Sequence, residues 1–96
     1  MALSESIEYD KIEVVGQYKS VQVRKATVIK KDGKEVARTF ERYVLDVGDL
    51  DASDNLVVTD LSSQPAEVSA ICNAAWTTSV KNAWKEKLIA DKLGTP

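Results

Sequence analysis

Hydrophobic and charged positions are interleaved through the first half of the chain. Over 7–15, 18–31 and 34–47, β-branched and aromatic residues recur with charged neighbours between them, which is the pattern of half-buried strands. Lys31-Asp32-Gly33-Lys34 separates the second run from the third. An Asp-Gly pair between two β-prone runs predicts a two-residue type I′ turn, because both central residues need a positive φ that Gly accepts and Asp tolerates. The predicted core element is therefore a long hairpin of about 18–31 and 34–47, preceded by a strand over 7–15 that pairs with it through the short Gly16-Gln17 link.

The two-residue turn sets a register: Ile29 opposite Val36, Val21 opposite Val44, Lys30 opposite Glu35 and Arg24 opposite Glu41. Apolar meets apolar and opposite charges meet, as stable cross-strand pairs do. A three-residue loop with a bulge would shift the register by one and lose both ion pairs, so the two-residue version is preferred. In that register Lys25, Arg38, Phe40 and Arg42 share a face with Val21 and Val23, and neither face is wholly apolar. Long strands with mixed faces bend and bury different faces along their length. The expected class is α+β, mainly β. It is a small, strongly bent antiparallel sheet or a partly closed barrel, in one domain over 1–96, with a C-terminal amphipathic helix.

That helix is predicted over about 65–93. Ser62-Ser63-Gln64-Pro65 opens it, Glu67 suits its N-terminal dipole and Gly94 stops it. Val68, Ile71, Cys72, Ala75, Trp76 and Val80 share one side of the wheel. Trp84 and Leu88 drift past its edge, so they are read either as ordinary core or as a contact for a neighbouring subunit. Between hairpin and helix lie an acidic loop and a short strand over 55–59.

Composition adds a constraint on stability. A chain of 96 residues builds one modest core. With a single cysteine and no histidine it has no route to an internal disulfide or a Cys/His zinc site, which leaves oligomerisation as the usual remedy for a small domain. The first residues have neither a basic start nor an apolar run, and no segment approaches the roughly 18 apolar residues of a membrane span. A cytoplasmic protein with no membrane partner is expected.

Charge changes the picture more. Residues 1–18 carry −3, 19–42 carry +5, 43–80 carry −6 and 81–96 carry +2. The basic band coincides with the hairpin. Its Arg24, Lys25, Lys30, Lys31, Arg38 and Arg42, with Phe40 among them, are the candidate platform for single-stranded RNA or DNA: phosphates on the cations and a base on the ring. The alternative is a solvated face whose long stems cover apolar neighbours.

Catalytic chemistry finds little support. Cys72 has no histidine to activate it and lies on the apolar side of the helix, so it reads as a core thiol. No enzyme activity, cofactor or small-molecule substrate is expected. Asp49, Asp51, Ser53, Asn55 and Asp60 fall on the ligand spacing of a calcium loop, but Asp54 stands where that loop requires Gly, and a solvated acidic loop is the preferred reading.

Four segments carry a family resemblance: Asp10-Lys11-Ile12-Glu13-Val14-Val15-Gly16, the run from Val21 to Lys30, the run from Leu50 to Val57, and the run from Ala66 to Thr77. Together they resemble small uncharacterised proteins of marine phages, cyanophage-like sequences common in ocean metagenomes. The resemblance implies a compact barrel similar to Sm and LSm proteins, assembly into a homo-oligomeric ring, and nucleic-acid binding. Two functions are then expected in competition. One is an Sm-like binding ring in the host cytoplasm. The other is a virion structural or assembly component that works through protein–protein contacts, for which Trp84 and Leu88 are the candidate interface.

Overall fold

The computed structural model describes residues 2–94. Three strands, β1 (Leu3–Val15), β2 (Ser20–Lys31) and β3 (Lys34–Leu45), form an antiparallel meander in the order β1-β2-β3. A two-stranded ribbon follows, β4 (Gly48–Leu50) with β5 (Leu56–Val58), and then two helices, α1 (Ala66–Ala75) and α2 (Thr78–Lys92). The protein is α+β and mainly β, as the periodicity indicated. The three-stranded sheet is open, and among the described residues neither β1 nor β3 has a partner on its outer side, so one chain forms no closed barrel. No described helix is long and apolar enough to cross a membrane.

The Asp32-Gly33 turn is present, with φ of 52° and 80° at its two residues. It is also tied to the start of β1: the Asp32 amide donates to the Ala2 carbonyl at 2.9 Å and the Ala2 amide to Asp32 Oδ1 at 3.0 Å. Lys30 pairs with Glu35 as predicted. The rest of the predicted register does not hold. The register shifts between Ile29 and Lys30, leaving Val36 as the extra residue of a bulge. Beyond it Ile29 faces Ala37, Arg24 faces Arg42 and Val21 faces Leu45. A one-residue slip moves every side chain of a strand to the other face. Here it gathers Val21, Val23, Tyr43 and Leu45 on one inner face, and the cleaner apolar face outweighs the lost Arg24–Glu41 pair.

That inner face meets the helices at one end of the sheet only. Val21, Val23, Val47, Val68, Cys72 and Trp76 form the buried core, with Ile12, Tyr43, Leu61 and Val80 packed around it. The predicted single helix is broken at Trp76-Thr77. Trp76 leaves helical geometry with ψ of 70°, and the Thr77 hydroxyl caps α2 by accepting from the Val80 amide at 3.3 Å. In one continuous helix, residues eight apart diverge by about 80°. The break lets both indoles serve the same core. Trp76 Nε1 donates to the Lys19 carbonyl and Trp84 Nε1 to the Gly48 carbonyl, each at 2.8 Å. Gly48 is fixed by this geometry, because a Cβ there would run into the Val57 carbonyl.

Beyond the core the meander continues as an arm that has no second layer of secondary structure among the described residues. The molecule measures 59 × 26 × 23 Å.

Candidate nucleic-acid interface and assembly surfaces

The register shift rearranges the basic band. Arg38, Phe40 and Arg42 now share the outer face with Arg24, whereas Lys25 faces inward, opposite Glu41. The platform expected from sequence, with Lys25 beside Arg38, is not the one the sheet builds.

On the outer face two arginines are already held. In β1 the register shifts between Tyr9 and Lys11, and the extra residue, Asp10, is presented to Arg24, as bulges re-aim side chains. Arg24 grips it bidentately, Nε to Oδ1 at 3.0 Å and Nη2 to Oδ2 at 2.7 Å. Its guanidinium also lies 4.5 Å from the centre of the Phe40 ring, a cation–π contact. Arg38 reaches across β2 to Glu8 on β1 at 3.0 Å and binds Glu35 through Nε and Nη2 at 3.1 and 2.8 Å. The Arg24 guanidinium holds the Asp10 carboxyl below the usual carboxylate range, and Arg38 does the same for Glu35. Arg38 is in turn pushed above its ordinary value by both glutamates.

Beneath these ladders Ala26 and Val28 are fully buried, although no helix covers them. Val28 pairs with Ser6 and Arg38, and Ala26 with Glu8 and Phe40. The arginine stems and the Phe40 ring roof the central strand, as long charged side chains can. Arg24, Arg38 and Phe40 therefore have structural work within the chain, and a phosphate or base would have to compete for them.

The remaining candidates are differently placed. Lys25, Lys31 and Arg42 have no ion-pair partner among the described residues, and Lys30 sits within the electrostatic reach of Glu35. Arg42 borders an outer-face groove of about 300 Å³ with Arg24, Gln22, Val44 and the ion pair of Lys11 with Glu13. Lys30 and Lys31 stand at the hairpin tip beside Lys34.

The two candidates for a subunit interface are engaged within the chain. The Trp84 ring, besides its bond to Gly48, meets Tyr18 edge-on at 5.4 Å and carries Lys87 above it at 5.6 Å. Leu88 is half-buried. The exposed large apolar residues described are instead Leu3 and Val36 near the tip, Ile7 and Phe40 along the arm, Val44, Val57 and Val58 at the base, Val14 and Val15 at the end of β1, and Leu93 after α2. Residues of this kind were hidden in the sequence by alternation, since exposure of a strand valine depends on what covers it rather than on its neighbours in the chain.

Most carboxylates of the acidic loop are bound within the chain, Asp54 by Lys92 of α2, Asp46 by the Ser20 hydroxyl and others by nearby amides. Asp51 Oδ1 accepts from the Ser53 and Asn55 amides at 2.8 and 2.9 Å, and those bonds hold its carboxyl below the ordinary range. Asp60 accepts from the Ser62 amide and is lowered for the same reason. No group of three metal-ligating side chains occurs among the described residues. Cys72 is buried, and burial pushes its thiol up, away from the reactive thiolate.

Comparison of the chain with protein-family models, with curated proteins and with solved structures returns no match.

Proposed function

We propose that this protein is a non-enzymatic assembly component that works as a homo-oligomer through protein–protein contacts. The observation that carries the reading is its shape. A compact chain of this length has a radius of gyration of about 12–13 Å, whereas this one has 17.7 Å. Its accessible surface is 6411 Å², roughly 1,000 Å² above the ~5,400 Å² of a compact monomer of this mass. That surplus is comparable to the ~800 Å² each partner contributes to a standard interface. Domains bury their sheets between layers, and the arm lacks a second layer within its own chain. The resemblance to small phage proteins makes a virion or its assembly intermediate the natural setting. An Sm-like closure of the sheet would, on this reading, be completed between copies.

Sedimentation at micromolar to tens-of-micromolar concentration tests the proposal. Species heavier than the 10.5 kDa chain are expected. A monomer throughout that range overturns it.

A second reading, single-stranded nucleic acid on the hairpin, is favoured by one observation: Arg42 is unpaired and borders the outer-face groove beside Arg24. On this reading Lys30, Lys31 and Arg42 carry the phosphates, and binding weakens steeply with salt. Oligonucleotide titration at low salt, with Arg42→Glu as the control, separates the two readings.

A further inference from the structure

We propose that copies of this chain join tip to base, the basic hairpin tip of one seated in an acidic apolar groove at the base of another. The inference rests on the assembly reading above and names the surfaces that would carry it.

The groove lies where β3 ends and the ribbon begins. It is an open depression of about 460 Å³, with Val44, Leu45, Val57 and Val58 supplying apolar wall and Asp46, Asp49 and Asp60 supplying charge. No lysine or arginine lines it. Val44 and Val57 are among the most exposed large apolar residues described, 55% and 57% accessible. Its three carboxylates accept hydrogen bonds from the Ser20 hydroxyl and from the Leu50 and Ser62 amides but pair with no cation among the described residues, so the surface remains apolar and anionic.

The tip has the complementary character. Leu3 and Val36 stand exposed at 67% and 57%, beside Lys31 and Lys34, which have no ion-pair partner among the described residues. Of the two acids nearest, Glu35 is paired with Arg38, and Asp32 keeps its charge while accepting from the Ala2 amide, leaving it outnumbered by Lys30, Lys31 and Lys34. What the tip presents outward is thus positive and apolar. A strand of 12 residues spans about 40 Å, so tip and groove are too far apart to satisfy each other within one chain.

Pairing rules out the other combinations. Tip against tip sets lysine against lysine, and groove against groove sets aspartate against aspartate; like charges brought together in an interface are costly. Only tip against groove matches both charge and apolar surface. A reciprocal dimer and a closed ring both satisfy that contact, and a second copy is its occupant in either case.

Charge reversal tests it. Lys31→Glu with Lys34→Glu changes only exposed positions flanking the turn, and Asp46→Lys with Asp49→Lys changes the groove. Each variant alone is expected to associate at least about tenfold more weakly than the wild type by sedimentation, with circular dichroism unchanged. Mixed in equal amounts, the two variants are expected to recover association of wild-type strength, alternating along the assembly, because each reversed tip then finds a reversed groove and each native tip a native groove. If the wild type assembles but the reversed tip leaves its mass unaltered, or if two folded variants fail to complement, the tip-to-groove contact is wrong and the assembly reading stands. A wild type that never assembles overturns both. Should the groove variant fail to fold, the tip variant decides alone, with Val57→Glu as a second probe of the groove.

Discussion

The two halves of one sheet are built from similar sequence and end in different circumstances. At the base, the layer of Ile12, Val23 and Tyr43 lies under α1 and α2, and Val21 and Val23 are buried. Farther out on the same face, Ile7, Thr27 and Thr39 form the equivalent layer, and Ile7 and Thr39 are exposed. The difference is one of length. α1 has 10 residues and α2 has 15, about 15 and 22 Å of helix, against strands of about 40 Å. The helices cover one end, and the arm continues past them. Its outer face solves the same problem without helices, by laying Arg24, Arg38 and Phe40 over Ala26 and Val28. Its inner face has no such roof, and this is where the chain's own resources stop.

Removing the base should therefore cost far more than altering the arm. Trp76 is 3% accessible and holds the β1–β2 turn through the Lys19 carbonyl. Trp76→Ala is expected to cost about 3–5 kcal/mol, a large share of the stability of a domain this size, and to leave a chain largely unfolded in urea concentrations the wild type survives. A midpoint close to wild type would mean that the base is not the stabilising half.

Next in size is the ribbon. A methyl at Gly48 meets the Val57 carbonyl, so Gly48→Ala must spread β4 from β5 and disturb the acceptor of the Trp84 indole. A loss of about 1–3 kcal/mol is expected, with a change in tryptophan fluorescence that a remote effect would not give. An unchanged spectrum would remove the ribbon from the base's packing.

How far these differences were legible depends on what fixes each feature. The turn was readable because Asp32 and Gly33 suit a positive φ by their own chemistry. The helical region, its Gly94 stop and the burial of Val68 and Cys72 were readable from spacing. The bulges at Asp10 and Val36 were not, because each is chosen by the packing of a whole face against helices far along the chain. That single unread residue, Val36, misassigned every β3 side chain beyond Glu35 and put Lys25 on the wrong side of the platform. The break at Thr77 did leave a signal. Thr77-Thr78-Ser79 is a run of capping-type hydroxyls inside an otherwise helical pattern, and Thr77 proves to be an N-cap. The pairing of Arg24 with Asp10 and of Arg38 with Glu8 was beyond reach, since it depends on the β1 register.

Those pairs sharpen the comparison through pH. Glu35 is lowered in the folded chain by its hydrogen bonds from Arg38. A depressed carboxyl contributes stability that is full above its unfolded value, near pH 4, and is lost as pH falls through the lower folded value. Arg38→Ala removes that contribution and uncovers Val28. The urea midpoint of Arg38→Ala is expected to fall below wild type at neutral pH, by less than for Gly48→Ala, and the gap should narrow below about pH 4. A gap that stays constant with pH would assign the effect to the lost stem over Val28 alone.

The smallest expected effect is the most discriminating. Ile7 lies on the inner face of the arm, 45% accessible, away from both the tip and the groove. In a monomer Ile7→Ser replaces one half-wet side chain by another, and a change within about 0.5 kcal/mol is expected at nanomolar concentration, as for surface positions generally. The same comparison at a concentration where the chains associate gives the arm's circumstances directly. If only tip and base are covered by a second copy, Ile7→Ser stays neutral there too. If its cost rises to the kcal/mol range as concentration rises, the neighbouring copy lies along the inner face of the arm and supplies the layer that the helices are too short to provide.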